Sequence, residues 1–116
     1  MNRVVALVDD LFFQMKLAET AKLMGIEVKV ASTAAALFDL LEPAPKLVVV
    51  DLNARANPIE AVERLRAAGH TIRVVAFLSH VQHELAERAR AAGCDEVLPR
   101  SVFTQNLAAI LSQAAD

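Results

Sequence analysis

The sequence has no Trp and no Tyr, and its only aromatic side chains are five Phe. Platforms for stacking bases or sugars are therefore scarce, which disfavours single-stranded nucleic acid as a ligand. A lone cysteine, Cys94, cannot close an internal disulfide and fits a reducing compartment. Three scattered glycines, Gly25, Gly69 and Gly93, do not make a phosphate-cradling loop, so nucleotide-handling enzymes are disfavoured. Neither sign of charge dominates. Twelve Lys plus Arg face fourteen Asp plus Glu for a net charge of -2, without the basic stripe that a phosphate backbone needs. Direct nucleic-acid binding is not expected. Apolar runs such as Leu47–Val50 fall far short of the roughly 18 residues of a membrane span. Asp9 and Asp10 interrupt the N-terminus where a signal peptide would need an apolar stretch. The expectation is a cytoplasmic protein with no membrane contact.

Apolar residues make up 55% of the 116 positions and charged residues 22%, enough to build a packed core. The length suits one domain over residues 1–116. β-rich runs alternate with helix-period segments, and no linker or internal repeat interrupts them. Val4–Val8 is a continuous apolar strand ending in two aspartates. Leu11–Met24 follows as a helix, with Leu11, Met15, Ala18 and Met24 at helical spacing and Gly25 as its stop. Ile26–Ala31 alternates apolar and polar, the pattern of a strand near a sheet edge. Ser32 or Thr33 caps a short helix through Leu41. Pro43 and Pro45 mark the turn before Leu47–Val50, whose unbroken apolar character predicts a central strand buried on both faces and ending at Asp51. Pro58 starts a helix that stops at Gly69. Ile72–Leu78 predicts a fourth strand, Val81–Ala92 a helix, Glu96–Leu98 a last strand and Phe103–Gln113 a last helix. Pro99 cannot donate to a ladder, so the last strand belongs at an edge. Five strands linked by single helices must run parallel with right-handed crossovers. The fold class is α/β, a three-layer sandwich with five helices.

In open parallel sheets, ligand sites form beyond the carboxyl ends of the strands, where strand order reverses. Asp9, Asp10 and Asp51 all stand at such ends. If the first and third strands are neighbours, as in the flavodoxin-like order 2-1-3-4-5, these carboxylates converge in one pocket. Like charges so placed raise each other's pKa unless a cation joins them, and hard oxygen ligands favour Mg²⁺. The competing reading is structural: aspartates often follow strands as turn formers or helix N-caps, as Asp10 would before Leu11.

Taken together, VDD at Val8–Asp10, LVVVDL with Asp51, AFLSH at Ala76–His80 and AAGCDEVLPR at Ala91–Arg100 resemble the receiver domain of two-component response regulators, over essentially the whole chain. The resemblance implies that Asp51 is a phosphoacceptor and that Asp9, Asp10, Asp51 and the backbone of Asn53 hold Mg²⁺. It implies a histidine kinase or phosphotransfer protein as phosphodonor, and a downstream protein as recipient. A homodimer is compatible with it. The family's lysine on the last strand is matched by Arg100, and the proline after it by Ser101. Arg is longer, planar and permanently charged, so it can clamp a phosphoryl oxygen without occupying the same point as an ammonium. The hydroxyl position at the end of the fourth strand falls on Leu78 without a gap and on Ser79 with one; Ser79, which carries a hydroxyl, is assigned to it. The aromatic switch position falls on Val97. The stretch NARAN after Leu52, up to the Pro58 that starts the next helix, lacks the loop's usual proline and glycine.

His80 and His83 stand three apart, but zinc would need two more ligands and only Cys94 is at hand, so solvated or capping roles are expected. Cys94 reads as a small buried hydrophobe. Of Phe12 and Phe13, one is expected in the core and the other beside the acid pocket, where with the last-strand edge and the face of the fourth and fifth helices it forms the expected docking surfaces. The expected function is that of a stand-alone receiver, not an enzyme, acting through protein contacts in a phosphorelay. The alternative is a pseudo-receiver, an interaction module that is not phosphorylated. A hydrolase built on the same acids lacks an evident base beyond His80.

Overall fold

The computed structural model describes residues 2–55, 57–79 and 82–115. Five parallel strands, β1 (Arg3–Leu7), β2 (Glu27–Ala31), β3 (Leu47–Asp51), β4 (Arg73–Leu78) and β5 (Glu96–Pro99), lie in the order β2-β1-β3-β4-β5. The helices are α1 (Leu11–Met24), α2 (Ala34–Asp39), α3 (Pro58–Ala67), α4 (His83–Ala92), α5 (Arg100–Gln105) and α6 (Leu107–Leu111), the last followed by a 3₁₀ turn. None of them is long and apolar enough to cross a membrane.

Strand alternation divides the core between the two faces of the sheet. Val5, Leu7, Val48, Val50, Val74 and Ala76 pack with Leu37, Ala61, Val62, Leu65 and Ala89 under α2, α3 and α4. Val4, Ala6, Leu47, Val49, Val75 and Phe77 pack with Phe13, Leu17, Phe103, Leu107 and Leu111 under α1, α5 and α6. The three-layer sandwich follows from this period of two.

Three expectations need correction. The buried face of α1 is Phe13, Leu17 and Ala21, whereas Leu11 and Met15 point to solvent at 74% and 66% exposure. Both sets fit a helical period, and the bulk of Phe13 and Leu17 decides which fills the core. Arg100 is not on the last strand: Pro99 ends the ladder, and Arg100 opens α5. The last helix is broken at Asn106, where the backbone leaves helical geometry at φ −108° and ψ 17° and the side-chain amide joins the backbone N–H on the Val102 carbonyl at 2.9 and 3.1 Å, so six helices replace five.

A clasp ties α3 to the start of β5. The Arg66 guanidinium donates to the carbonyls of His70, Ile72 and Gly93 and to Asp95 Oδ2 at 2.7–3.1 Å. Asp95 Oδ2 also accepts from the Val74 N–H at 2.8 Å.

Candidate functional site

Register brings the acids together. Leu7 of β1 pairs with Val50 of β3, so Asp9 and Asp10 emerge just past the level of Asp51. Asp51 in turn pairs with Phe77, and Leu78 with Pro99, which delivers Ser79 and Arg100 to the same sheet end.

Asp51 is 4% exposed. Its Oδ1 accepts the Asn53 N–H at 2.9 Å. Burial pushes its carboxyl above the ordinary carboxylate value; the Asn53 N–H and the Arg100 charge oppose that push, and the charges of Asp9 and Asp10 add to it.

Asp10 has two duties. Its Oδ1 caps α1 by accepting from the Phe12 and Phe13 N–H groups at 3.0 and 3.2 Å, which realises the structural reading of this aspartate. Its Oδ2 accepts from Arg100 Nη2 at 2.8 Å. The Phe13 N–H and then the Arg100 guanidinium hold the Asp10 carboxyl below its ordinary value. Asp9 Oδ2 accepts the Arg55 N–H at 2.9 Å, which fixes the loop after β3 over the pocket.

Arg100 is positioned by rings as well as by charge. Its guanidinium carbon lies 4.7 Å from the centre of Phe13 and 5.6 Å from that of Phe77. Those two rings belong to a cluster with Phe103, with centroids 4.6–5.8 Å apart. A lysine ammonium has no plane to lay on such rings.

Asn53 joins two loops: its Oδ1 accepts the Ser79 N–H at 2.7 Å, and its amide donates to Gln82 Oε1 at 3.1 Å. Ser79 stands one residue past β4 and is exposed, whereas Leu78 is buried in the core. Val97 is half-buried on β5. His83 is exposed at the start of α4, and His80 lies outside the described residues. Cys94 is buried and free, and burial pushes its thiol to about 11.

Mg²⁺ demands a near-octahedral set of oxygens. Both Asp10 oxygens are committed, and Asp9 and Asp51 each have one oxygen on a backbone N–H. Among the described residues no group of three or more His, Cys, Asp or Glu is arranged to hold a metal ion. As arranged, Asp10 offers the cation no oxygen and its place is taken by Arg100, so the set Asp9, Asp10, Asp51 and Asn53 does not fit Mg²⁺ without breaking the Asp10–Arg100 pair.

Sequence reasoning missed the Asp10–Arg100 pair and the Asn53 bridges. The first joins residues far apart in the chain, so only the strand order could have signalled it. The second had a nearer cue in an amide two residues past a strand-end aspartate.

No protein-family model and no curated protein sequence matches the chain. Solved structures do. It superposes on the chemotaxis response regulator CheY4 of Vibrio cholerae with a TM-score of 0.81 at 18% identity, covering 98% of both chains. A response regulator receiver domain protein from Clostridium thermocellum gives 0.82 at 16% identity, covering 98% of this chain and 94% of that one. A CheY-like receiver domain protein from Methanospirillum hungatei gives 0.78 at 19% identity, covering 90% and 86%. With the strand order 2-1-3-4-5 and the loops of β1, β3 and β4 gathered at one sheet end, the chain has the fold of CheY-like response-regulator receiver domains.

Proposed function

We propose that this chain is a receiver-type signalling domain that carries a phosphoryl group on Asp51. The observation that carries this reading is a buried carboxylate at the end of the central strand, flanked by two further acids and faced by one guanidinium. In the step proposed, an Asp51 oxygen attacks the phosphorus of a phosphohistidine on a kinase or phosphotransfer protein. A P–O bond forms, the P–N bond breaks, and its electron pair returns to the imidazole. Arg100 supplies fixed positive charge beside the incoming oxygens. The chain acts as acceptor and messenger, not as an enzyme, in the cytoplasm, where a buried Cys94 thiol would stay reduced.

Docking of the donor is assigned to the start of α1. Leu11, Phe12 and Met15 are exposed directly beside Asp10, with Phe12 at 80%, while Phe13 is in the core. Lys16 and Glu19 rim them.

Incubation with acetyl phosphate, read by intact mass, tests the acceptor. One phosphoryl adduct is expected on wild type and none on Asp51→Asn. A folded wild type that takes up no phosphoryl group, with or without Mg²⁺, would overturn phosphoacceptance and leave an unphosphorylated interaction module.

A further inference from the structure

The acid pocket already contains a cation, and it is part of the chain. Arg100 meets Asp10 Oδ2 at 2.8 Å and is held there from a second direction by the rings of Phe13 and Phe77. The remaining carboxylates are steadied by backbone N–H groups of the loop after β3, with Asp9 on Arg55 and Asp51 on Asn53. A hard divalent ion entering this pocket would have to take Asp10 Oδ2 from a charge-assisted hydrogen bond and dislodge a guanidinium stacked on two rings. It would also gather its ligands from oxygens that cap a helix and hold a loop.

We propose that Arg100 is the resident counter-ion of the acid pocket and excludes divalent metal from it, so that the neutralisation a bound Mg²⁺ would supply is built into the side chain. The planar fork explains why arginine serves here. It donates to the Asp10 oxygen while its central carbon lies 4.7 Å over the Phe13 ring, and its delocalised, weakly hydrated cation gives up less solvation there than a compact ammonium would. Tethering has a further effect: the guanidinium needs no free ion and loses little freedom on binding, so it competes at an advantage over ions from solution. The inference concerns occupancy of the pocket and stands apart from phosphoacceptance.

The test follows metal alone. Free Mn²⁺ is measured by its solution EPR signal as protein is added, and Mg²⁺ is added in competition. Wild type should leave the Mn²⁺ signal unchanged up to millimolar concentration. Arg100→Met removes the charge while keeping an unbranched stem on the Phe13 and Phe77 rings, and should bind Mn²⁺ at least about tenfold more tightly, with Mg²⁺ displacing it. Adding Asp51→Asn to that variant should abolish the gain. Arg100→Lys, which keeps the charge but not the fork, should fall between the two. Submillimolar binding by wild type would overturn the proposal whatever the variants do. So would a folded Arg100→Met, checked by circular dichroism, that binds no better than wild type; if that variant does not fold, Arg100→Lys binding no better than wild type overturns it equally. Because no phosphodonor is present, failure of Asp51 to accept a phosphoryl group would leave these readings unaffected.

Discussion

Asp51 ends a strand whose other four residues are fully buried, and its carboxyl shares that burial. With the folded carboxyl raised above its ordinary 3.8, the group favours folding most when both states are protonated. That contribution is lost as pH rises from the ordinary carboxylate value through the folded one, so at neutral pH an ionised Asp51 weighs against the fold. Asp51→Asn should melt a few degrees higher than wild type at pH 7 in metal-free buffer, and the gap should close as pH falls toward 4; an unchanged gap would mean that burial does not govern this group. Cys94 makes a similar case with a larger shift. An unfolded thiol ionises near 9.0 and the buried one near about 11, so the stability it supplies is lost as pH climbs through that window. Iodoacetamide at pH 8 should modify Cys94 slowly in the native protein and rapidly in urea. The position of Asp51 was legible in the sequence, because four consecutive apolar residues ending in an acid mark a strand buried on both faces that surfaces only at its carboxyl end. The double engagement of Asp10 was not. The cap could be read from Leu11 next door, but Arg100 arrives only when β5 is laid beside β4.

At the scale of elements, glycine placement was easier to read than helix faces. Gly93 was expected to end a helix, and it does so at a φ of +121°, in the region that disfavours L side chains. A Cβ there would also lie 2.6 Å from Arg66 Cγ, in a side chain pinned by five hydrogen bonds. Gly93→Ala should therefore cost about 1–3 kcal/mol in urea unfolding, from backbone strain and from loosening of the clasp. A loss near zero would show that Arg66 can step aside. The face of α1 is ambiguous in the sequence because Leu11 and Met15 recur at the same interval as Phe13 and Leu17, and periodicity alone cannot choose between two apolar stripes. The last helix breaks at Asn106, whose backbone leaves helical geometry while the apolar period runs on through Leu107 and Ile110, so a period count does not register it. Asn53 connects the loop after β3 to the start of α4, so Asn53→Ala should speed amide hydrogen exchange at Ser79 and in the first turn of α4 while leaving β1 unchanged.

At the scale of the whole molecule, the parallel sheet was readable from the alternation of strands and single helices. The neighbouring of β1 and β3 entered only as a condition borrowed from the flavodoxin-like order, because connection lengths do not say on which side of β1 the chain returns. The exposed face of α1 was only half readable. Phe12 and Phe13 are adjacent and chemically identical, and the packing of α1 alone decides which one reaches solvent. Phe12→Ser should sharply reduce labelling of Asp51 by a phosphorylated protein donor while leaving labelling by acetyl phosphate intact; equal loss with both donors would point to damage in the pocket instead of the docking face. The sheet borders lead to one more consequence. β2 carries the exposed Glu27 and Lys29 along one border, Glu27 paired with Arg3 of β1, and β5 ends the other with an exposed Pro99 that has no N–H to offer. Charge on one flank and a missing donor on the other make both borders poor templates for an added strand. A visiting protein is thus left with helix faces and loop tips to grip. Complexes of this molecule should assemble and part without the ladder hydrogen bonds of its sheet ever being extended.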